Sequence, residues 1–211
     1  MFWRDASPIK TFQWRGYQIP VNLSYDRVLT MFDVFEDNDL RPHEQWEIAF
    51  ELFVDDEEIV NAFDTNDKAP FLIDMFKELL RIDLTDESGE DEQIPSFDFH
   101  EDASRIFSSF LFDYNMNLYE QQGKLSWSDF IELLFNLSDD TQFSQAVSYR
   151  LASIPKKDKY NEDEVKRIRA MKEKYAFKSE RMVKRVEEIK GKALLRKMQE
   201  HTNFIKKGGK E

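Results

Sequence analysis

From residue 24 onward, large apolar side chains recur at intervals of three and four behind residues suited to open a helix, a pattern that few folds other than a helical one can satisfy. Ser24 precedes a face of Tyr25, Val28, Leu29, Phe32 and Phe35, and Pro42 opens a stripe of Trp46, Ala49, Phe50 and Phe53. A third helix is expected from near Pro70 through Phe71, Met75, Phe76, Leu79 and Leu80. Asp98 precedes Ala103, Phe107, Phe110, Leu111 and Tyr114; Ser126 precedes Trp127, Phe130, Ile131, Leu134 and Leu137; Thr141 precedes Phe143, Val147 and Leu151. Short polar side chains in these leading positions can accept hydrogen bonds from the orphaned amides of a first helical turn. With 19 Phe, 4 Trp and 7 Tyr in 211 residues, the stripes carry enough apolar volume to build a core.

Two segments depart from this period. Residues 11–21 alternate apolar and polar around Arg15-Gly16, which predicts a short β-hairpin, with Pro20 at the edge or end of its second arm. Residues 83–97 are acidic, contain Gly89 and Pro95 and lack periodicity, so a solvated loop is expected there.

Pro155 and Lys156–Lys159 read as a hinge, after which Asn161 opens a helix predicted to run to about Ile205. Its apolar positions include Val165, Ile168, Met171, Tyr175, Met182, Val186, Ile189, Leu194 and Met198, and the spacing beyond Met182 resembles a coiled coil. Met182, Val186, Ile189, Leu194 and Met198 are therefore the candidate partner-binding residues, through self-association or docking on a partner helix. The Lys-Lys-Gly-Gly-Lys-Glu terminus is expected to be disordered. The predicted fold is thus mainly α: a compact helical domain (1–155) with a short N-terminal hairpin, then a long-helix extension (156–211).

Charge divides the chain at the same place. Residues 1–155 hold 11 Lys and Arg against 32 Asp and Glu, a net of −21; residues 156–211 hold 19 against 10, a net of +9. Such asymmetry bears on association and solubility. Glutamates interleave with the basic residues of the tail, which suits a helix packing on another helix better than an arm tracking phosphates, so nucleic-acid binding is not expected. Whether the tail folds back on the acidic body is left open by the sequence.

No catalytic or cofactor constellation emerges, and the expectation is a protein that is not an enzyme. Cysteine is absent, and His43, His100 and His201 lie far apart. Residues 64–69 begin like a calcium loop but place Lys68 fifth and Ala69 where the turn glycine belongs. The pairs Asp98 with Asp102 and Asp139 with Asp140 stand at predicted helix starts, where capping explains them. No apolar run approaches the roughly 20 residues of a membrane span.

The runs FDFHEDASRIFSSFLFDYNMNL (97–118) and LSWSDFIELLFNLSDDTQFSQAVSYR (125–150) resemble the core of the siphophage tail proteins of the gene-product-fifteen family. IPVNLSYDRVLTMFDVFEDNDL (19–40) is similar to that family's opening, and NEDEVKRIRAMKEKYAF (161–177) to its close. Trp127, Phe130, the Asp140-Thr141 step and Arg150 carry the match, which leaves 178–211 as an extension. The resemblance implies a tail assembly chaperone acting in the host cell cytoplasm, binding the tape measure protein and helping to recruit tail tube subunits. It implies no catalytic residues and no cofactor. A tail or connector component retained in the virion is the alternative, and a regulator binding nucleic acid through the basic helix a further one.

Overall fold

The structure, a computed structural model, describes residues 7–84 and 94–192. Its architecture is mainly α with one two-stranded antiparallel hairpin, as the periodicity predicts. Strands β1 (Ile9–Trp14) and β2 (Tyr17–Asn22) pair with Phe12 opposite Ile19 and Trp14 opposite Tyr17. Arg15 and Gly16 both take positive φ (47° and 89°), the primed turn that matches the twist of a two-residue hairpin. Helices α1 (Tyr25–Glu36), α2 (Pro42–Phe53), α3 (Glu57–Ala62) and α4 (Thr65–Met75) follow. A π-helical turn, Phe76–Leu80, continues α4 and stops at Arg81, which is left-handed at φ 60°. Then come α5 (Ala103–Tyr114), a 3-10 turn (Leu118–Gln121), α6 (Trp127–Phe135), α7 (Gln142–Leu151) and α8 (Glu162–Tyr175). The described part of α9 covers 180–192.

Several expectations change in detail. The third helix begins at Thr65, not Pro70: Asp64 caps it by accepting from the Asn66 amide at 2.8 Å, and Pro70 lies inside it. The six-residue α3, capped by Asp56, is too short for periodicity to reveal. Ser24 and Asn161 occupy N-cap positions without capping through their side chains. Ser24 instead forms an antiparallel bridge with Ser126, and its fully buried hydroxyl has no partner among the described residues. Asn161 spends its side chain on the preceding turn, accepting from the Asp158 amide and donating to the Lys156 carbonyl. Ser126 and Thr141 cap α6 and α7 as expected.

The long helix from Asn161 is in fact two helices. α8 ends at Tyr175, and α9 starts after an intervening segment whose Lys178 and Ser179 amides donate to the Glu101 carboxylate at 2.7 and 3.2 Å. A carboxylate satisfying the first amides of a helix fixes a new start. Residues 193–211, with the predicted disordered terminus, and 85–93 of the predicted loop lie outside the described residues.

The described residues form two compact units, 7–84 with 110–137 and 94–109 with 138–192, a division that does not follow the charge boundary near 155. In the first unit Phe71 is the centre of an aromatic cluster, with Phe12, Phe50 and Phe63 rings each at 5.3 Å and Trp14 at 5.6 Å. Phe130 organises a neighbouring cluster with Tyr25 (4.8 Å), Phe110 (5.4 Å) and Trp127 (5.7 Å). Such pairs add about 0.5–1.5 kcal/mol each beyond area burial. Phe130, Phe110 and Trp127 are accordingly core residues, while Phe107 is half-buried. In the second unit Phe143, Ala146, Val165, Tyr175, Met182 and Ile189 are buried.

Candidate partner-binding surface

Two sites concentrate the chemistry of this chain, one in each unit. In the second unit the apolar stripe predicted to bind a partner is used within the chain itself. Met182 is 1 % exposed and Ile189 5 % exposed, so neither is available at the surface. Val186 is half-buried and lines a pocket of about 330 Å³ with Ile94, Pro95, Phe177 and Val183. Leu194 and Met198 lie outside the described residues. A stripe with coiled-coil spacing satisfies its burial equally well against its own chain, and sequence spacing does not say which.

Beside its apolar core this unit holds a buried polar network centred on Asp102, a residue whose place at a predicted helix start suggests capping. Asp102 is fully buried and receives both Arg150 guanidinium nitrogens, at 2.6 and 2.9 Å, and Arg105 at 2.6 Å. The Asp98 amide donates to it at 3.1 Å. Burial alone would raise the Asp102 carboxyl, but the two guanidiniums and the amide outweigh it and hold the group below the usual carboxylate range. Arg150 also donates to the Tyr175 carbonyl (2.6 Å) and the Ser96 carbonyl (3.1 Å), and its guanidinium lies over the Phe177 ring at 4.0 Å. Lys172 Nζ donates to the carbonyls of Tyr149, Arg150 and Ala152, closing the end of α7. Every group in this network is engaged by another, so it is a latch rather than a site for a ligand. Asp98, expected as a helix cap, accepts from the Glu101 amide and pairs with Arg181. Asp139 and Asp140 are exposed ahead of α7, where Thr141 provides the cap.

The first unit carries an open apolar groove that no pattern in the sequence foretells. It measures about 520 Å³ and runs between β2 and α3. Trp14 and Phe63 stack at 5.2 Å to form its floor, with Ile19, Ile59 and Ala62 beside them and Tyr17, 72 % exposed, standing at its mouth. Asp64 and Asp67 also line it. Arg15 covers the Trp14 ring at 4.2 Å and pairs with Asp67 at 2.8 Å, which orders the hairpin tip against α4. Partly exposed aromatic floors of this kind, with polar rims, are typical of surfaces that receive another protein. Six residues of α3 bring Ile59 and Ala62 to the wall, and a helix that short leaves no periodic trace.

A family model described as Bacteriophage Gp15 protein matches residues 5–177. Comparison with curated proteins and with solved structures returns no match. The matched span contains the hairpin, the aromatic clusters, the groove and the Asp102–Arg150 latch, and ends at Phe177 beneath the Arg150 guanidinium. A match over this much of the sequence, ending at residue 177 where the closing segment of the resemblance ends, settles the kinship: the chain belongs to the Bacteriophage Gp15 protein family.

Proposed function

We propose that this protein is a tail assembly chaperone that acts by binding alone, in the host cell cytoplasm, holding the tape measure protein and helping to recruit tail tube subunits. Family membership supports the coarser statement, that it is a bacteriophage structural or assembly protein. The finer reading rests on one observation above the others: an open, aromatic-floored groove on a chain with a net charge of −12. A long helical rod-former exposes apolar stripes until it is enclosed, and such stripes drive aggregation. A chaperone for it needs a groove that takes an apolar helical face, within a charged surface that keeps the complex in solution.

Co-expression tests this directly. The tape measure protein made together with this chain should shift into the soluble fraction and co-purify with it. An unchanged soluble yield with no co-purification would refute the reading.

A further inference from the structure

Resting on the chaperone reading, we propose that the groove between β2 and α3 seats one apolar face of a Lys- and Arg-rich amphipathic helix of the partner. The floor is apolar and aromatic, and a volume of about 520 Å³ admits a few side chains from one face of a helix rather than a whole helix. The identity of the occupant follows from charge. Between residues 55 and 67 the chain has six acidic residues (Asp55, Asp56, Glu57, Glu58, Asp64 and Asp67) and no basic one. Arg27 pairs with Asp55 and Arg15 with Asp67, while Asp56 and Asp64 serve as helix caps. Glu57 and Glu58 are exposed and form no ion pair among the described residues. Asp64 and Asp67 line the groove, and the exposed Glu57 and Glu58 stand on α3, which walls it, so a helix that buried its apolar stripe here would bring its flanking side chains towards acidic groups, which favours lysine and arginine and disfavours glutamate. Strand addition is the less favoured mode, because Pro20 removes a donor from β2.

The seat is open to substitution without touching the core. Ala62 is exposed at the end of α3, so Ala62→Arg places a long cationic side chain across the groove. Tyr17→Ser removes the exposed ring at its mouth, and Glu57→Lys/Glu58→Lys reverses the wall. Glu47→Lys/Glu51→Lys on α2 is the matched control for net charge.

Fluorescence anisotropy of a labelled Leu/Lys amphipathic peptide of about 18 residues, five helical turns, is the probe, with a Leu/Glu peptide of the same pattern as counterpart. The full-length protein should bind the Leu/Lys peptide and not the Leu/Glu one. Each groove variant should weaken binding by about tenfold or more, as expected for central contacts of an interface, and the α2 control should not. Binding that ignores Ala62→Arg and Tyr17→Ser, or equal binding of both peptides, would overturn the proposal. A self-association that Ala62→Arg abolishes, with no peptide binding, would assign the groove to a second copy and equally overturn it. Solubilisation of the tape measure protein by wild type and Ala62→Arg alike would leave the chaperone reading standing and remove this groove from it. Peptide binding lost in the groove variants, with no effect of wild type on the tape measure protein, would do the reverse.

Discussion

Replacing Arg150 by Met tests whether the Asp102 latch is the principal polar support of its unit. Met keeps an unbranched apolar stem over the Phe177 ring but removes both hydrogen bonds to Asp102 and those to the Tyr175 and Ser96 carbonyls. Asp102 is fully buried, so it cannot turn to water for replacement. Removing one partner of a buried ion pair costs about 3–5 kcal/mol, because the other charge stays behind uncompensated. Arg105 and the Asp98 amide still contact the carboxylate, which places the expected loss near the lower end, about 3 kcal/mol. For a chain of this size that is a fall in Tm of about 6–12 °C, read by far-UV circular dichroism.

The pH dependence separates this account from simple loss of packing. The native Asp102 carboxyl is held below its ordinary value, so the stability it contributes is present above the unfolded carboxylate pKa and is lost as pH falls through the folded one. In the Arg150→Met variant the charged form is the burdened one, and protonation relieves it. The gap between wild type and variant should therefore narrow as pH falls from neutrality towards 4. A fall in Tm below about 2 °C, or a gap that stays constant over that range, would refute the reasoning.

Three further outcomes are expected. Ser126→Ala should lower stability by about 1 kcal/mol in urea titrations, since Ser126 Oγ accepts from the Asp129 amide at 3.2 Å and donates to its carboxylate at 2.7 Å. Burial, with Asp26 and Tyr119 nearby, pushes the Tyr25 hydroxyl up to about 12, so stability should decline as pH rises from about 10 towards 12 and Tyr25→Phe should flatten that decline in alkaline thermal melts. Mass spectrometry of purified phage particles should find the protein absent or far below stoichiometry; a stoichiometric presence would favour a retained tail or connector subunit.

Local chemistry was legible in the sequence wherever one residue type decides it. Gly16 marks the hairpin because glycine takes a positive φ without steric cost, and Ser126 and Thr141 mark helix starts because their oxygens reach the free amides. Ser24 shows the limit of that inference: its position is right, but a bridge to Ser126, far along the chain, engages its backbone. Tertiary contacts also decide what periodicity cannot. Nothing in the run from Asn161 says that Glu101 will seize the Lys178 and Ser179 amides and divide the helix, or that Met182 and Ile189 will bury within the chain. The groove was hidden for the same reason, since Trp14 is distant in sequence from Ile59 and Phe63 and only the fold brings them together.

The placement of the aromatic residues has an optical consequence. Among the described residues Trp14, Trp46 and Trp127 all belong to the first unit, while the second carries tyrosines, with Tyr149 and Tyr175 stacked nearly parallel at 5.7 Å. Trp14 sits in the groove floor and against Phe71, Trp46 packs on Phe35 and Trp127 on Phe130, so these three indoles all report on the first unit. The stacked Tyr149–Tyr175 pair packs beside Arg150, which donates to the Tyr175 carbonyl, so the part of the near-ultraviolet dichroism that Tyr149→Phe removes reports on the latch.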